Sequence, residues 1–556
     1  MHIYVKPHND YAAHLIEIAE KWQRRWAEAK VFEADPDPSK PKFFLTVAFP
    51  YPNGPAHMGH GRTYTITDAY ARFKRMQGYN VLFPLGFHYT GTPILTMAEK
   101  VVAGDEKILR LLRKVYGVPE DMIPRLTDPL IMARYFHEIS KVSFIEMGYS
   151  IDWRREFTTI DPEFKAFIRW QFSKLREKGF LVKGTHPVGW CPKHNMPVGM
   201  HDTEGDVEPE IGEWTLLFFT DDQGVVYPAA TLRPETVFGV TNIWVNPKAE
   251  YVKACVDGRV WILSRRAAWK LGFQLRKVEV LEELRGEELL GRWVRNPVTG
   301  EKVPVLPADF VDPDTGTGVV MSVPAHAPYD YAAIRDLSDD VLRKLGVDRG
   351  ALRPRPLIRV RGYGELPAVE IVEKMGIRSQ GERDKLEEAT KRVYGDEFKY
   401  GVMRGDIVDY VAVGAPPELR RYVQGFVKEW IAGRPVPEAR ENLVRWLRAA
   451  GLADRMYEIM NKPVRCRCGT EIVVKVLEDQ WFIDYGNPKW KELARRWLEK
   501  GRIVPPEYRN DFKYTIEWVQ RRACARSRGL GTELPWAPGW IIESLSDSTI
   551  YMAFYT

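Results

Sequence analysis

Phe43 to Phe49 is a short apolar run bounded by Pro50, the pattern of a fully buried strand. Pro50, Pro52, Asn53, Gly54 and Pro55 then forbid regular structure. From His57 to about Gln77 the pattern is helical, and Gly78 supplies a stop. Tyr79 to Phe83 is a second short apolar run, closed by Pro84. Strand, helix, strand in that order predicts a right-handed βαβ unit with parallel strands. Ahead of it, residues 9 to 30 place Leu15, Ile18, Trp22 and Trp26 at spacings of three and four, which predicts an amphipathic helix.

Residues 94 to 180 are mostly helical in pattern, with helices over Ile131–Met147 and Glu163–Lys178, stopped by Gly148 and Gly179. The character changes near Leu181. Strand-like runs recur at Trp214–Phe219, Gly224–Tyr227, Val237–Val245, Tyr251–Val256 and Val260–Leu263, predicting a β-rich, barrel-like module with helices near Glu282–Leu290 and Val369–Met375. Arg420–Ala432 and Glu438–Leu452 read as basic, aromatic helices and Pro488–Lys500 as a further helix. The expected segments are 1–180, 181–206, 207–410, 411–475 and 476–556.

With 45% hydrophobic and 12% aromatic residues, 556 residues can build several real cores, which excludes a disordered chain. No apolar run approaches the roughly 20 residues of a membrane span, and Met1–Trp22 lacks a signal-peptide core, so a cytoplasmic protein is expected. The net charge of +6, from 81 basic and 75 acidic residues, permits a nucleic-acid partner without requiring one. Five cysteines do not form a disulfide framework. Nine glutamines beside abundant Arg, Glu and Pro hint at a thermophile.

The Pro50–Pro55 loop falls between a strand's C-terminal end and a helix N-terminus, the edge where open α/β sheets bind ligands. His57 and His60 share the first turn of that helix, and Gly59 and Gly61 keep the turn bare for a polyanion. A HxxH pair alone reads first as a helix cap; it could also hold a metal, but the Gly and Pro neighbours suit a phosphate better. A second cluster combines Cys191 and His194, a CxxH knuckle, with Cys466 and Cys468 far downstream. Three thiolates and an imidazole suit a closed, structural zinc site. Cys255 and Cys524 have no partners by spacing.

The string PYPNGPAHMGHGR resembles the HIGH signature of class I aminoacyl-tRNA synthetases, most closely the leucyl subfamily of archaeal and eukaryotic type. The resemblance implies an α/β, Rossmann-like catalytic core with an inserted β-rich editing domain on a zinc-knuckle base. It makes His57 and His60 the groups that stabilise the triphosphate, with Gly59, Gly61, Glu543 and Asp547 around ATP. Phe49, Tyr51, Asn53 and His88 would surround the amino acid, His88 standing where bacterial relatives carry Asp for the substrate amino group. Thr231-Leu-Arg-Pro-Glu-Thr236 and Gly316 to Tyr331 resemble the editing motifs. There Asp330 would take the misplaced amino acid's ammonium, Thr231 and Arg233 would flank the site, and Thr236 would exclude leucine. A synthetic site separating amino acids by one methylene gains only about 1–3 kcal/mol, which is why a second sieve is needed.

The implied substrates are leucine, ATP with Mg2+ and tRNA(Leu). No Lys-Met-Ser-Lys-Ser string occurs. The resemblance therefore covers the first part of such an enzyme, either split into two polypeptides or truncated, and a second subunit with the lysine loop and anticodon-binding domain is expected. The alternatives are an editing-only deacylase, an isoleucyl or valyl enzyme, and an inactive RNA-binding paralogue.

Overall fold

The structure, a computed structural model, describes residues 10–411 and 417–555. The first helix spans Asp10–Glu28; Asn9, expected to begin it, lies outside the described residues, as do 412–416 of the expected return segment. Among the described residues, no helix is long and apolar enough to cross a membrane.

The βαβ unit forms as expected. Lys42–Phe44 pairs in parallel with Asn80–Leu82, Phe43 opposite Val81, and the helix between them runs from Met58 to Met76. The first strand is shorter than the predicted 43–49. Its last rung is the Leu45 N–H to the Leu82 carbonyl, and Pro84, which lacks an N–H, cannot carry the ladder further. A second parallel pair joins Gly86–Phe87 to Phe157–Thr158, so the loop bearing His88 lies on the same body. Val81, Phe83, Phe87, Phe136 and Phe144 share its core.

From Leu181 the chain leaves this body along Leu181–Cys191 and returns along Val473–Asp484. The two strands pair antiparallel from Trp190↔Val473 to Leu181↔Ile483, with an irregularity between Leu477 and Gln480. Arg521–Ala523 and Met196–Pro197 flank them in a four-stranded sheet. This stem carries a mixed ten-stranded module.

In that module Ile211–Thr220 pairs with Val226–Thr231 on one side and Ala453–Ile459 on the other. The module therefore reaches past the expected end at 410. Helices Pro417–Trp430 and Val436–Ala449 bury Val423, Val427, Leu443 and Leu447 in the same core as Leu217, Val237 and Ile243. Two local expectations change. The helix predicted over Glu282–Leu290 is a strand, Val278–Arg285, followed by a 3-10 turn, because the open edge of Glu250–Val256 offers a full antiparallel ladder. The strand predicted over Val237–Val245 begins only at Asn242, since Pro234–Gly239 closes into a 3-10 turn beneath the TLRPET motif.

A fragment of residues 207–461 should melt cooperatively by circular dichroism, whereas 207–410 should aggregate or lack a cooperative transition. The shorter piece loses the Ala453–Ile459 ladder and nine buried apolar side chains of the core, Val423, Val427, Leu443 and Leu447 among them, a buried Val or Leu being worth about 1.5–3 kcal/mol, against a total domain stability of about 5–15 kcal/mol. Equal melting of both fragments would contradict this boundary.

Candidate functional sites

His57 is the N-cap of the Met58–Met76 helix. Its Nδ1 accepts the Gly59 N–H at 3.0 Å, and the Nδ1 of His60 accepts the His57 N–H at 3.2 Å. The backbone thus takes both Nδ1 atoms, so each neutral ring carries its proton on Nε2. Burial and the neighbouring His57 ring lower the pKa of His60, which keeps it neutral at pH 7. Gly59 is required because a Cβ there would lie 2.8 Å from the His57 ring; Gly61 meets only the Tyr149 hydroxyl at 3.8 Å. The expectation of a bare helix start is thereby modified: the His57 and Gly59 N–H groups are consumed by the two imidazoles. Donation to an anion falls instead to the Nε2–H groups. Both histidines line a cavity of about 550 Å³ with Phe49, Tyr51 and Asn53.

Beside it, His88 stacks on Tyr51 with ring centroids 4.4 Å apart and shares a hydrogen bond of 3.1 Å with the Asp547 carboxylate. The His88 N–H bonds the Pro50 carbonyl, tying the two loops together. Asp547 is fully buried; burial raises its pKa and His88 opposes that rise. Phe49 packs on Tyr551 at 4.1 Å. Glu543 stands apart, capping the short Ser544–Asp547 helix through the Ser546 N–H and hydroxyl.

The inserted module holds a second cavity, of about 200 Å³, lined by Thr231, Arg233, Thr236 and Asp330 among others. Gly316 packs behind the lining residue Ala230. It and Gly318 sit at positive φ, and a Cβ would meet Ala230 or Ser264, respectively, below 3.0 Å. Asp330 is fully buried, accepting the Trp244 indole N–H at 3.0 Å and the Val323 N–H at 2.6 Å. Burial raises its pKa to about 7, those two bonds notwithstanding. Thr231 accepts the Arg233 N–H at 2.9 Å, and the Thr236 hydroxyl donates to the Arg233 carbonyl at 2.8 Å.

Arg233 itself is held by ion pairs to Glu235 and Glu397 and stacks on Tyr394 at 4.3 Å. Glu397 also accepts from His326 Nδ1 at 2.6 Å, while His326 Nε2 accepts the Leu357 N–H at 2.8 Å, which fixes a neutral tautomer. Arg440 closes the network on Glu235. Two cations and two anions balance, and although burial disfavours both, the mutual charges hold the Arg233 pKa above and the Glu397 pKa below their usual ranges. Sequence reasoning missed Trp244, His326, Glu397 and Arg440. Their partners lie 71 to 205 residues away, out of reach of any local pattern.

Cys191, His194, Cys466 and Cys468 converge at the end of the stem, their ligating atoms within 4.8 Å of one another. Cys191 Sγ lies 3.7 Å from Cys468 Sγ, and Cys466 Sγ lies 3.5 Å from His194 Nδ1. Tetrahedral zinc, with Zn–S near 2.3 Å and Zn–N near 2.0–2.1 Å, spaces such atoms by about 3.5–3.8 Å. The other His194 nitrogen meets Glu99 at 3.2 Å, the outer carboxylate that commonly orients a metal-bound imidazole.

These features put two separate cavities and one cluster of metal-type ligands on a single chain. The chain belongs to the class I tRNA synthetases: the family described as tRNA synthetases class I (I, L, M and V) matches residues 21–548. It is 60% identical over 548 residues to the leucine–tRNA ligase of Pyrobaculum calidifontis, covering 99% of this chain and 56% of the relative. With leucine–tRNA ligase 2 of Saccharolobus solfataricus it shares 54% identity over 539 residues, 97% of this chain and 55% of the relative. The solved structure titled "The crystal structure of GlLeuRS-CP1" matches 42% of this chain and 81% of its own at 29% identity, with a TM-score of 0.34. The chain spans about half the length of the curated relatives it matches.

The raised pKa of Asp330 predicts a stability change with a definite sign. Between the ordinary 3.8 and about 7 the folded chain keeps a proton that the unfolded chain releases, so stability falls as pH rises through that window. Asp330→Asn cannot ionise. Its stability relative to wild type should therefore improve by roughly 4 kcal/mol from pH 4 to pH 7 and stay level above, on the scale of 1.36 kcal/mol per pKa unit. Urea unfolding across that range measures it, and a difference independent of pH would refute the buried neutral carboxyl.

Proposed function

We propose that this chain is the leucine-activating and editing portion of a leucine–tRNA ligase, using ATP with Mg2+ and tRNA(Leu) in the cytoplasm. One observation carries the reading: a single chain holds both the His57–His60 cavity and the Asp330 cavity. The names of the relatives at 54–60% identity support leucine. In activation the leucine carboxylate attacks the α-phosphorus of ATP, the α–β phosphoanhydride bond breaks, and pyrophosphate leaves as its Mg2+ complex. His57 and His60, both Nε2–H donors, stabilise the charge that develops, and Gly59 admits them to the backbone. Tyr51, Asn53, Phe49 and His88 surround leucine, with Asp547 behind His88; Gly61 and Glu543 complete the set proposed around the nucleotide. Zinc held by Cys191, His194, Cys466 and Cys468 would be structural, clamping the base of the insertion, which we place at about 207–459.

For editing, Asp330 takes the ammonium of a misplaced amino acid, Thr231 positions the ester and Thr236 excludes leucine. Arg233 is assigned to holding the pocket wall, its guanidinium being committed to two carboxylates. A remaining part carrying the lysine loop and anticodon-binding domain, on a second polypeptide or a continuation of this one, completes the enzyme. Exposed Ile66, Tyr70 and Phe73 on the Met58–Met76 helix support such a partner. A second reading, deacylation by this chain alone, is favoured by an editing cavity lined entirely by residues between Trp214 and Tyr394.

In the completed enzyme, leucine-dependent ATP–pyrophosphate exchange is expected, and His60→Ala should lower it by about 10²–10³-fold. Exchange driven by isoleucine or valine in preference to leucine would refute the specificity, and a His60→Ala loss of only a few-fold would refute the role of the histidine. Thr236→Ala should begin to hydrolyse correctly charged leucyl-tRNA in a deacylation assay. Unchanged protection of leucyl-tRNA would remove Thr236 as the guard.

A further inference from the structure

The segment from Pro488 to Arg522 carries ten basic and five acidic side chains, a surplus of five in a chain whose whole surplus is six. It contains two helices, Pro488–Lys500 and Tyr508–Trp518, in which the buried side chains are Leu498 and Ile516. Three of its cations hold the pair together. Arg495 pairs with Glu517, and Lys491 donates to the Glu517 carbonyl at 2.6 Å. Arg509 donates to the Leu498 and Gly501 carbonyls, groups that a helix end leaves without a partner.

Other cations have no such part. Lys489, Lys500 and Arg502 are exposed and make no ion pair among the described residues. At about 3.6 residues per turn, Lys489, Leu493, Arg496, Trp497 and Lys500 fall on the helix face opposite the buried Leu498. All five are exposed, and Arg496 pairs with Glu492 of the same helix. Trp497 is 57% exposed, its ring centroid 6.0 Å from that of Phe512 on the second helix.

An aliphatic side chain and an indole therefore stand in water between two unpaired lysines, which lie about 16 Å apart along the axis. Covering the apolar part is favourable, and whatever covers it must bring negative charge to both ends of the face. A protein surface would need a carboxylate placed at each end. A nucleic-acid backbone carries a charge at every step, and every base offers a π-face to an exposed indole.

We propose that this face of the Pro488–Lys500 helix binds RNA, with Lys489, Lys500 and Arg502 on backbone phosphates and Trp497 stacked on a base. The inference rests on the ligase reading for its partner, a tRNA, and adds a surface on which that partner lies.

The intact chain is titrated with a labelled RNA hairpin bearing a single-stranded 3′ end, by fluorescence anisotropy over a series of salt concentrations. Removing two phosphate contacts in the double variant Lys489→Gln, Lys500→Gln should lower the slope of log Kd against log salt by about 1–2. Trp497→Ala should raise Kd about tenfold and leave the slope unchanged, because stacking releases no counterions. The substituted side chains are exposed, so circular dichroism should show unchanged melting in each variant. No binding of the hairpin by wild type, or the wild-type slope and Kd in both variants, overturns the proposal. Unchanged hairpin binding together with lost association with the polypeptide carrying the lysine loop would make the face a protein surface, and overturns it equally. Failure of leucine-dependent exchange in the completed enzyme overturns the leucine reading instead and leaves these titrations standing.

Discussion

The pairing of Leu181–Cys191 with Val473–Asp484 is the contact on which the rest of the molecule depends. It joins positions 277 residues apart, Cys191 and Cys468, and everything between them hangs from that stem. Closing a loop of this length costs about 5 kcal/mol beyond a constant term. Nine ladder pairs and their flanking strands offset part of it, and a metal on the four converging side chains would supply more than the remainder. Because the stem is antiparallel and irregular at one point only, it sets the base of the inserted module at a fixed place on the body that holds the βαβ unit. Arg467, between the knuckle's two cysteines, also lines the His57–His60 cavity, so the base of the insertion and that cavity share residues.

Both cavities follow one physical rule: the reactive polar group is held by groups that leave it a single role. In the His57–His60 cavity the backbone N–H groups occupy both Nδ1 atoms, and the histidines become donors. In the Asp330 cavity an indole and an amide point at Asp330, and burial pushes its pKa up to about 7; under the proposed function an incoming ammonium would draw the proton off. Around it the Arg233–Glu397–His326–Glu235–Arg440 network is charge-balanced and fully committed. It keeps the wall rigid without offering a competing ion to the substrate.

Much of this was legible in the chain. The strand–helix–strand unit, its HMGH turn, the TLRPET and GTGVVMSVPAHAPYD strings and the two cysteine clusters are local patterns whose chemistry constrains their neighbours, and the structure brings the four metal-type ligands together. What was not legible is long-range. Leu281 to Leu284 has helical spacing, yet an open strand edge recruits it. The inserted module runs past 410 because helices Pro417–Trp430 and Val436–Ala449 bury their apolar faces in its core, a destination that only the fold shows. Glu397 and Trp244 carry no motif; they matter because the chain brings them to Arg233 and Asp330.

X-ray absorption at the zinc K-edge of the purified chain tests the stem most directly. One zinc per chain with three sulfurs near 2.3 Å and one nitrogen near 2.0–2.1 Å is the result this structure predicts. A chain that folds and carries its insertion with no metal, or with oxygen ligands in place of the three sulfurs, would contradict it.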